Sequence, residues 1–297
     1  MKFAYPIFLG TLLAASQPAF ANIDVKFDYR YDSSGFFTGE NSSRQNLLNA
    51  AASVFETRFR DSLTSITPSG SNTFDARFFK PDTGIVTDIP GLSVAADQIV
   101  VFVGAYNLGN TLATGGPGAF SANGSPDFIS NASSRGQAGI ETDFGPWGGA
   151  ISFNSTSNWY LDPNTNTDES FSGFDFYSVA VHELAHLLGF GSASSFENLS
   201  SGGFFTGPAV NALLGHSAPL TKDGGHWKSG LQYLGQEVAM DPSIAPGQRK
   251  HFTELDYAAM KDIGWNVSPI PEAETWAMML AGLGFLGWRL RTYRHRR

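Results

Sequence analysis

Apolar and polar residues alternate from Ile23 to Tyr29, the period-two pattern of a half-buried strand. From Asn46 to Phe59 the apolar positions recur at helical spacing, with Ser42 or Ser43 placed to cap the start. Gln98–Ala105 is a short β-branched apolar run and predicts a central strand; Ala150–Asn154 predicts another. Asn107–Gly139, dominated by Gly, Ser, Asn and Pro, predicts loop. Around Phe176–Leu188 apolar residues occur on most sides of a helix. Asp175 or Ser178 would cap it and Gly189 would stop it. No internal repeat interrupts this order.

The two ends follow different patterns. Residues 1–21 carry Lys2, an apolar run from Phe3 to Ala15, and Ala19-Phe20-Ala21, a small-x-small cleavage site. This predicts a secretory signal peptide cut after Ala21. Residues 268–297 contain an apolar run of 15 residues, Trp276–Leu290, broken by Arg289. A bilayer span needs about 20 residues. Arg291, Arg294, Arg296 and Arg297 follow, and Pro271-Glu272-Ala273 precedes. This three-part layout resembles the PEP-CTERM sorting signal, with Ala273 in place of the usual last Pro. The resemblance implies transient inner-membrane association and cleavage by an exosortase-type peptidase. The expected destination is the cell surface or extracellular matrix of a Gram-negative bacterium.

Of the 297 residues, 42% are hydrophobic and 15% charged, enough apolar material for a sizeable core. Residues 22–267 hold 13 Lys and Arg against 25 Asp and Glu, a net charge of −12. So acidic a body argues against nucleic acid as a partner. There is no cysteine, which excludes disulfides, thiolate metal sites, cysteine proteases and a cysteine-based latency device. Structural calcium stays open, because the loops are rich in the Asp and Asn oxygens that it takes.

The chemistry is concentrated in Val181–Gly189, VHELAHLLG. His182 and His186, four apart on a helix, place two imidazoles on one face where one cation can hold both. Glu183 is placed to act as general base on a water at the open position of such a cation, which points to Zn2+. Gly189 suggests the metzincin form of this motif, whose third His would fall at position 192, and that residue is Ser192. The remaining histidines of the body are His216, His226 and His251.

Gly225-His226-Trp227, Gln236–Pro242 and Thr253–Trp265 together are similar to leishmanolysin-type metzincins. The resemblance covers about residues 174–266. It implies that His182, His186 and His226 are the zinc ligands and Glu183 the base. It further implies an insertion from Gly191 to Gly225, Met240 as the Met-turn, and a closing helix over Phe252–Trp265. The expected fold is an α/β (α+β) zincin catalytic domain over residues 22–267. Its upper part, to about 190, has a mixed twisted sheet and the active-site helix; the lower part, 191–267, is irregular and ends in a helix. The strand at Ala150–Asn154 is the expected edge for an extended peptide substrate. The expected function is a secreted zinc metalloendopeptidase. The alternatives are a catalytically silent surface or matrix binding protein on the same scaffold, and a zinc amidase acting on cell-wall or matrix material.

Overall fold

The computed structural model describes residues 22–39, 42–166 and 169–269. The expected signal peptide and the sorting tail from residue 270 onward lie outside the described residues. The main elements are β1 (Asp24–Asp28), α1 (Ser42–Glu56), β2 (Thr73–Phe79), β3 (Val86–Pro90), β4 (Gln98–Tyr106), β5 (Ala113–Pro117), β6 (Ala119–Asn123), α2 (Pro126–Ser134), β7 (Gly148–Asn154), α3 (Phe176–Leu187), α4 (Ser194–Asn198), α5 (Pro208–Leu214) and α6 (Glu254–Asp262). Seven two-residue strands are scattered among the described residues after β7. The result is a mixed α/β structure with several sheets and six helices among the described residues. None of those helices is long and apolar enough to cross a membrane.

The largest sheet has the order β1-β4-β7-β5. Its first three strands are parallel, with Asp24 opposite Gln98 and Val100 opposite Gly148. Parallel strands covered on both faces carry apolar side chains on both, which is why β4 reads as a continuous run. Ile99, Val101, Val103, Ile151 and Phe153 face the core that holds α1 and α3. Phe102 and Ala150, one residue out of phase, face a second sheet of order β3-β2-β6. There Phe78 stacks on Phe102 with ring centroids 4.4 Å apart. Burying one such ring contributes about 1.5–3 kcal/mol.

Two sequence expectations need correction. Asn107–Gly139 is not one loop: it holds β5, β6 and α2. Tertiary pairing overrides the weak strand propensity of these residues, since β5 pairs with β7 and β6 with β2. α2 starts where Ser125 Oγ accepts the Phe128 N–H at 3.2 Å and Pro126 takes the first turn. The second correction concerns the edge strand. β7 is interior, because β5 runs antiparallel along it with Ala113 opposite Phe153. β5 is therefore the outer strand on that side. In addition, α1 opens at Ser42, so Ser43 lies inside the helix. The closing helix is the shorter α6, capped by Thr253 and followed by Gly264 at φ 121°.

Candidate metal centre and cleft

α3 is buried along nearly its whole length. Asp175 caps it by accepting the Ser178 N–H at 3.1 Å, and also binds Arg249 through both oxygens, at 2.9 and 3.0 Å. The helix stops at Gly189, whose φ of 111° suits glycine alone. Gly191, two residues on, has φ 67° and packs directly against Gly225. The stretch expected as an insertion therefore begins and ends at one place. α4 and α5 lie between, and α5 is held by α6 through Asp262, which accepts the Ala209 and Val210 N–H groups at 2.7 and 2.9 Å.

That neck delivers His226 to the helix. His186 Nε2 lies 3.1 Å from His182 Nε2 and 3.0 Å from His226 Nε2. Among the described residues these three form the single cluster of metal-ligating type. Tetrahedral coordination with bonds of about 2.0–2.1 Å needs ligand nitrogens roughly 3.3 Å apart, close to this spacing. His182 Nδ1 lies 2.8 Å from the Ala239 carbonyl, and His186 Nδ1 lies 2.8 Å from the Phe190 carbonyl. A proton donated there leaves each Nε2 lone pair aimed at the centre. His226 Nδ1 is buried with no partner. The donor set fits a zinc ion: three imidazoles and a cleft on the fourth side. Burial lowers all three pKa values, to about 4 for His186 and well below the usual range for His182, where His186 adds to the effect. The rings are thus neutral at pH 7, as ligands must be.

The other histidines stay away. His216 is exposed just past the end of α5, with Nδ1 3.0 Å from the neighbouring Ser217 carbonyl. His251 packs beside Tyr177. Ser192 Oγ donates to the His186 carbonyl at 2.5 Å and so closes the end of α3.

Val238-Ala239-Met240 forms a buried floor that meets His182 through the Ala239 carbonyl, with Met240 fully buried. The sequence reading missed what holds it. Asp256, 0% exposed, accepts from Trp227 Nε1 at 2.9 Å, Ala239 N–H at 3.0 Å and Thr253 N–H and Oγ1 at 2.8 Å each. It thereby ties the residue after His226, the carbonyl that orients His182, and the start of α6 to one carboxylate. The spacing Thr253-x-x-Asp256 was the available signal, as a capping box.

A cavity of ≈ 560 Å³ opens over the imidazoles and Glu183. One wall is β5 with the residues before it; the other includes Asp241–Ile244 and Lys250. Lys250 Nζ donates to Glu237 at 2.9 Å and to the Ser243 carbonyl at 2.6 Å, so its charge is held in the wall. Burial lifts Glu183 to about 8, and the Gly115 N–H pulls it back. The ladder explains why Gly115 is free to do this. Asn154 N–H bonds the Leu112 carbonyl and Gly118 N–H the Gly148 carbonyl. Bonded pairs recur every second residue in an antiparallel ladder, so the backbone groups of Ala113 and Gly115 point outward, to the open edge.

No family model, curated protein or solved structure matches the chain.

Proposed function

We propose that the chain is a secreted zinc-dependent metalloendopeptidase with a metzincin-like catalytic domain of leishmanolysin type. The observation that carries this reading is the convergence of His182, His186 and His226 Nε2 beside the buried carboxylate of Glu183. His182, His186 and His226 would hold the zinc, with Met240 in the floor below. When bound, zinc polarises a scissile carbonyl and acidifies a water. In its ionised form, which a cation held by the neighbouring rings would favour, Glu183 takes the proton that the water gives up as its oxygen attacks the amide carbon. The same carboxyl then passes the proton to the departing amide nitrogen. Gly115 N–H holds that carboxylate at the edge of β5. The outward N–H and C=O of Ala113 and the C=O of Gly115 are available to pair with an extended peptide. The three neutral rings and the closed floor support a preorganised site. The proposal extends to both ends of the chain: export through residues 1–21, then removal of the tail near Pro271 by an exosortase-type peptidase. Casein hydrolysis by the purified protein, abolished by a zinc chelator and restored by zinc, tests the activity. Purified protein that holds zinc and leaves casein intact would sink it.

A further inference from the structure

The glycine-rich edge strand has a cavity on each of its faces. The candidate catalytic cleft lies on the α3 face. A second cavity of ≈ 640 Å³ lies on the opposite face, between β5, β7 and the β2–β3 hairpin, and both cavities touch Thr114 and Gly115. Phe79 and Val86, a cross-strand pair on that hairpin, line the second cavity while standing 66% and 52% exposed. Ile85 beside them is 67% exposed. Large apolar side chains grouped at the surface next to a cavity mark a binding site rather than a core. The one guanidinium at this cavity, that of Arg77, is tied to Asp88 at 2.7 and 2.9 Å, so it presents no unpaired charge. Gly116 has no Cβ to fill the space, although nothing lies within 4 Å of where one would stand.

The open edge of β5 determines what reaches this cavity. A peptide pairing antiparallel to β5 has its N-terminal end by Pro117 and its C-terminal end by Ala113. Its side chains alternate between the two faces of the extended sheet. Those on the α3 face fall into the cleft over Glu183; those between them meet the hairpin. We propose that the hairpin-lined cavity is a second recognition pocket. It takes a large apolar side chain of an extended polypeptide, on the N-terminal side of the bond presented to Glu183. This rests on reading the cleft as that of a peptidase, and it names the substrate class. The preferred chain is unfolded or strand-forming, with apolar residues an odd number of positions apart, one for each face.

The test is binding to the Glu183→Ala protein, which reads the pocket whether or not the wild type cuts peptides; casein hydrolysis by the wild type judges the peptidase reading separately. The probes are fluorescein-labelled threonine decapeptides with one leucine, or with two leucines spaced by two, three, four or five residues. Fluorescence anisotropy should give spacings of three and five at least tenfold tighter binding than one leucine, with spacings of two and four gaining less. The gain should vanish when Phe79→Ser and Val86→Ser are added, while single-leucine affinity holds. Gly116→Leu, which fills the cavity from the strand side, should abolish the gain independently. Equal gains at even and odd spacing, no gain at any spacing, or a gain that survives both sets of substitutions would overturn the proposal.

Discussion

Gly115 and Glu183 touch: a Cβ built on Gly115 would lie 2.9 Å from Glu183 Cβ and 3.1 Å from Oε2. The edge strand therefore reaches the proposed base only because residue 115 has no side chain. Gly115→Ala must move either the strand or the carboxylate by several tenths of an ångström. Misplacement of up to about 1 Å at a reacting group costs as much as 100-fold in rate. Turnover of casein should fall at least tenfold, with zinc content unchanged because the imidazoles are untouched. A variant with wild-type turnover would show that the contact does not position Glu183.

Asp256 is the next point of leverage. Asp256→Ala strands the Trp227 indole N–H, the Ala239 N–H and the Thr253 cap in a dry interior. Each lost partner costs about 1–3 kcal/mol, so the total loss should exceed about 3 kcal/mol. The urea midpoint should drop accordingly, and zinc affinity with it, because the Ala239 carbonyl that orients His182 loses its support. Asp256→Asn keeps one acceptor oxygen and should lose less. If Asp256→Ala unfolds at the wild-type midpoint, this carboxylate does not organise the floor.

The site was legible in the sequence where a helix carries it. Two histidines four apart in an apolar helix, an acidic cap at Asp175 and a stop at Gly189 are all local signals. His226 lies 40 residues past His186 and was picked out through a resemblance, since spacing left three histidines open. β5 was illegible for a physical reason. Ala-Thr-Gly-Gly-Pro has little strand propensity, and its extended form is imposed by pairing with β7. Gly115, one of the two glycines behind the loop reading, is what lets the strand lie against Glu183. Asp256 was one acidic residue among many: its spacing from Thr253 marks a capping box, but its bonds to Trp227 and Ala239 come from segments distant in sequence. The central strands, buried on both faces, were legible as apolar runs, and the order of strands in the sheet was not.

Asp61 supplies a pH dependence. It is 7% exposed, accepts the Asn266 N–H with both oxygens at 3.1 Å, and burial raises its pKa to about 6. The folded state thus holds this proton more tightly than the unfolded chain does. The resulting stabilisation is complete below about pH 3.8 and is lost as pH rises through about 6. Asp61→Asn removes this dependence. The stability of the variant minus that of the wild type should therefore increase between pH 4 and pH 7, by roughly 1–2 kcal/mol after allowing for solvent screening. Urea unfolding of both proteins across that range decides it; a difference independent of pH would show that Asp61 titrates normally.

The third imidazole is the sharpest test of the centre, because it is held differently from the other two. His182 and His186 are each braced by a backbone carbonyl behind the ring, whereas His226 Nδ1 is buried without a partner. Its backbone is nonetheless firmly placed. Trp227 is fully buried, its N–H bonds the Met240 carbonyl at 3.0 Å, and Thr221 N–H bonds the His226 carbonyl at 2.9 Å. The chain thus delivers the ring and leaves its rotation to be fixed at Nε2. A cation at Nε2 would supply that restraint, and two imidazoles alone would leave zinc short of the three protein ligands a catalytic site uses. His226→Ala should weaken zinc binding at least 100-fold, about 2.7 kcal/mol, and remove activity in proportion. His216→Ala should leave zinc content at the wild-type level, since that ring is exposed past the end of α5 and lies outside the cluster of His182, His186 and His226. Ser192→Ala should cost only about 0.5–1.5 kcal/mol of stability, the worth of its bond to the His186 carbonyl, with zinc retained. Metal analysis of the three purified variants after equilibration with zinc separates these outcomes. Zinc lost from His216→Ala and kept by His226→Ala would mean that the cluster seen around His186 is not the metal centre.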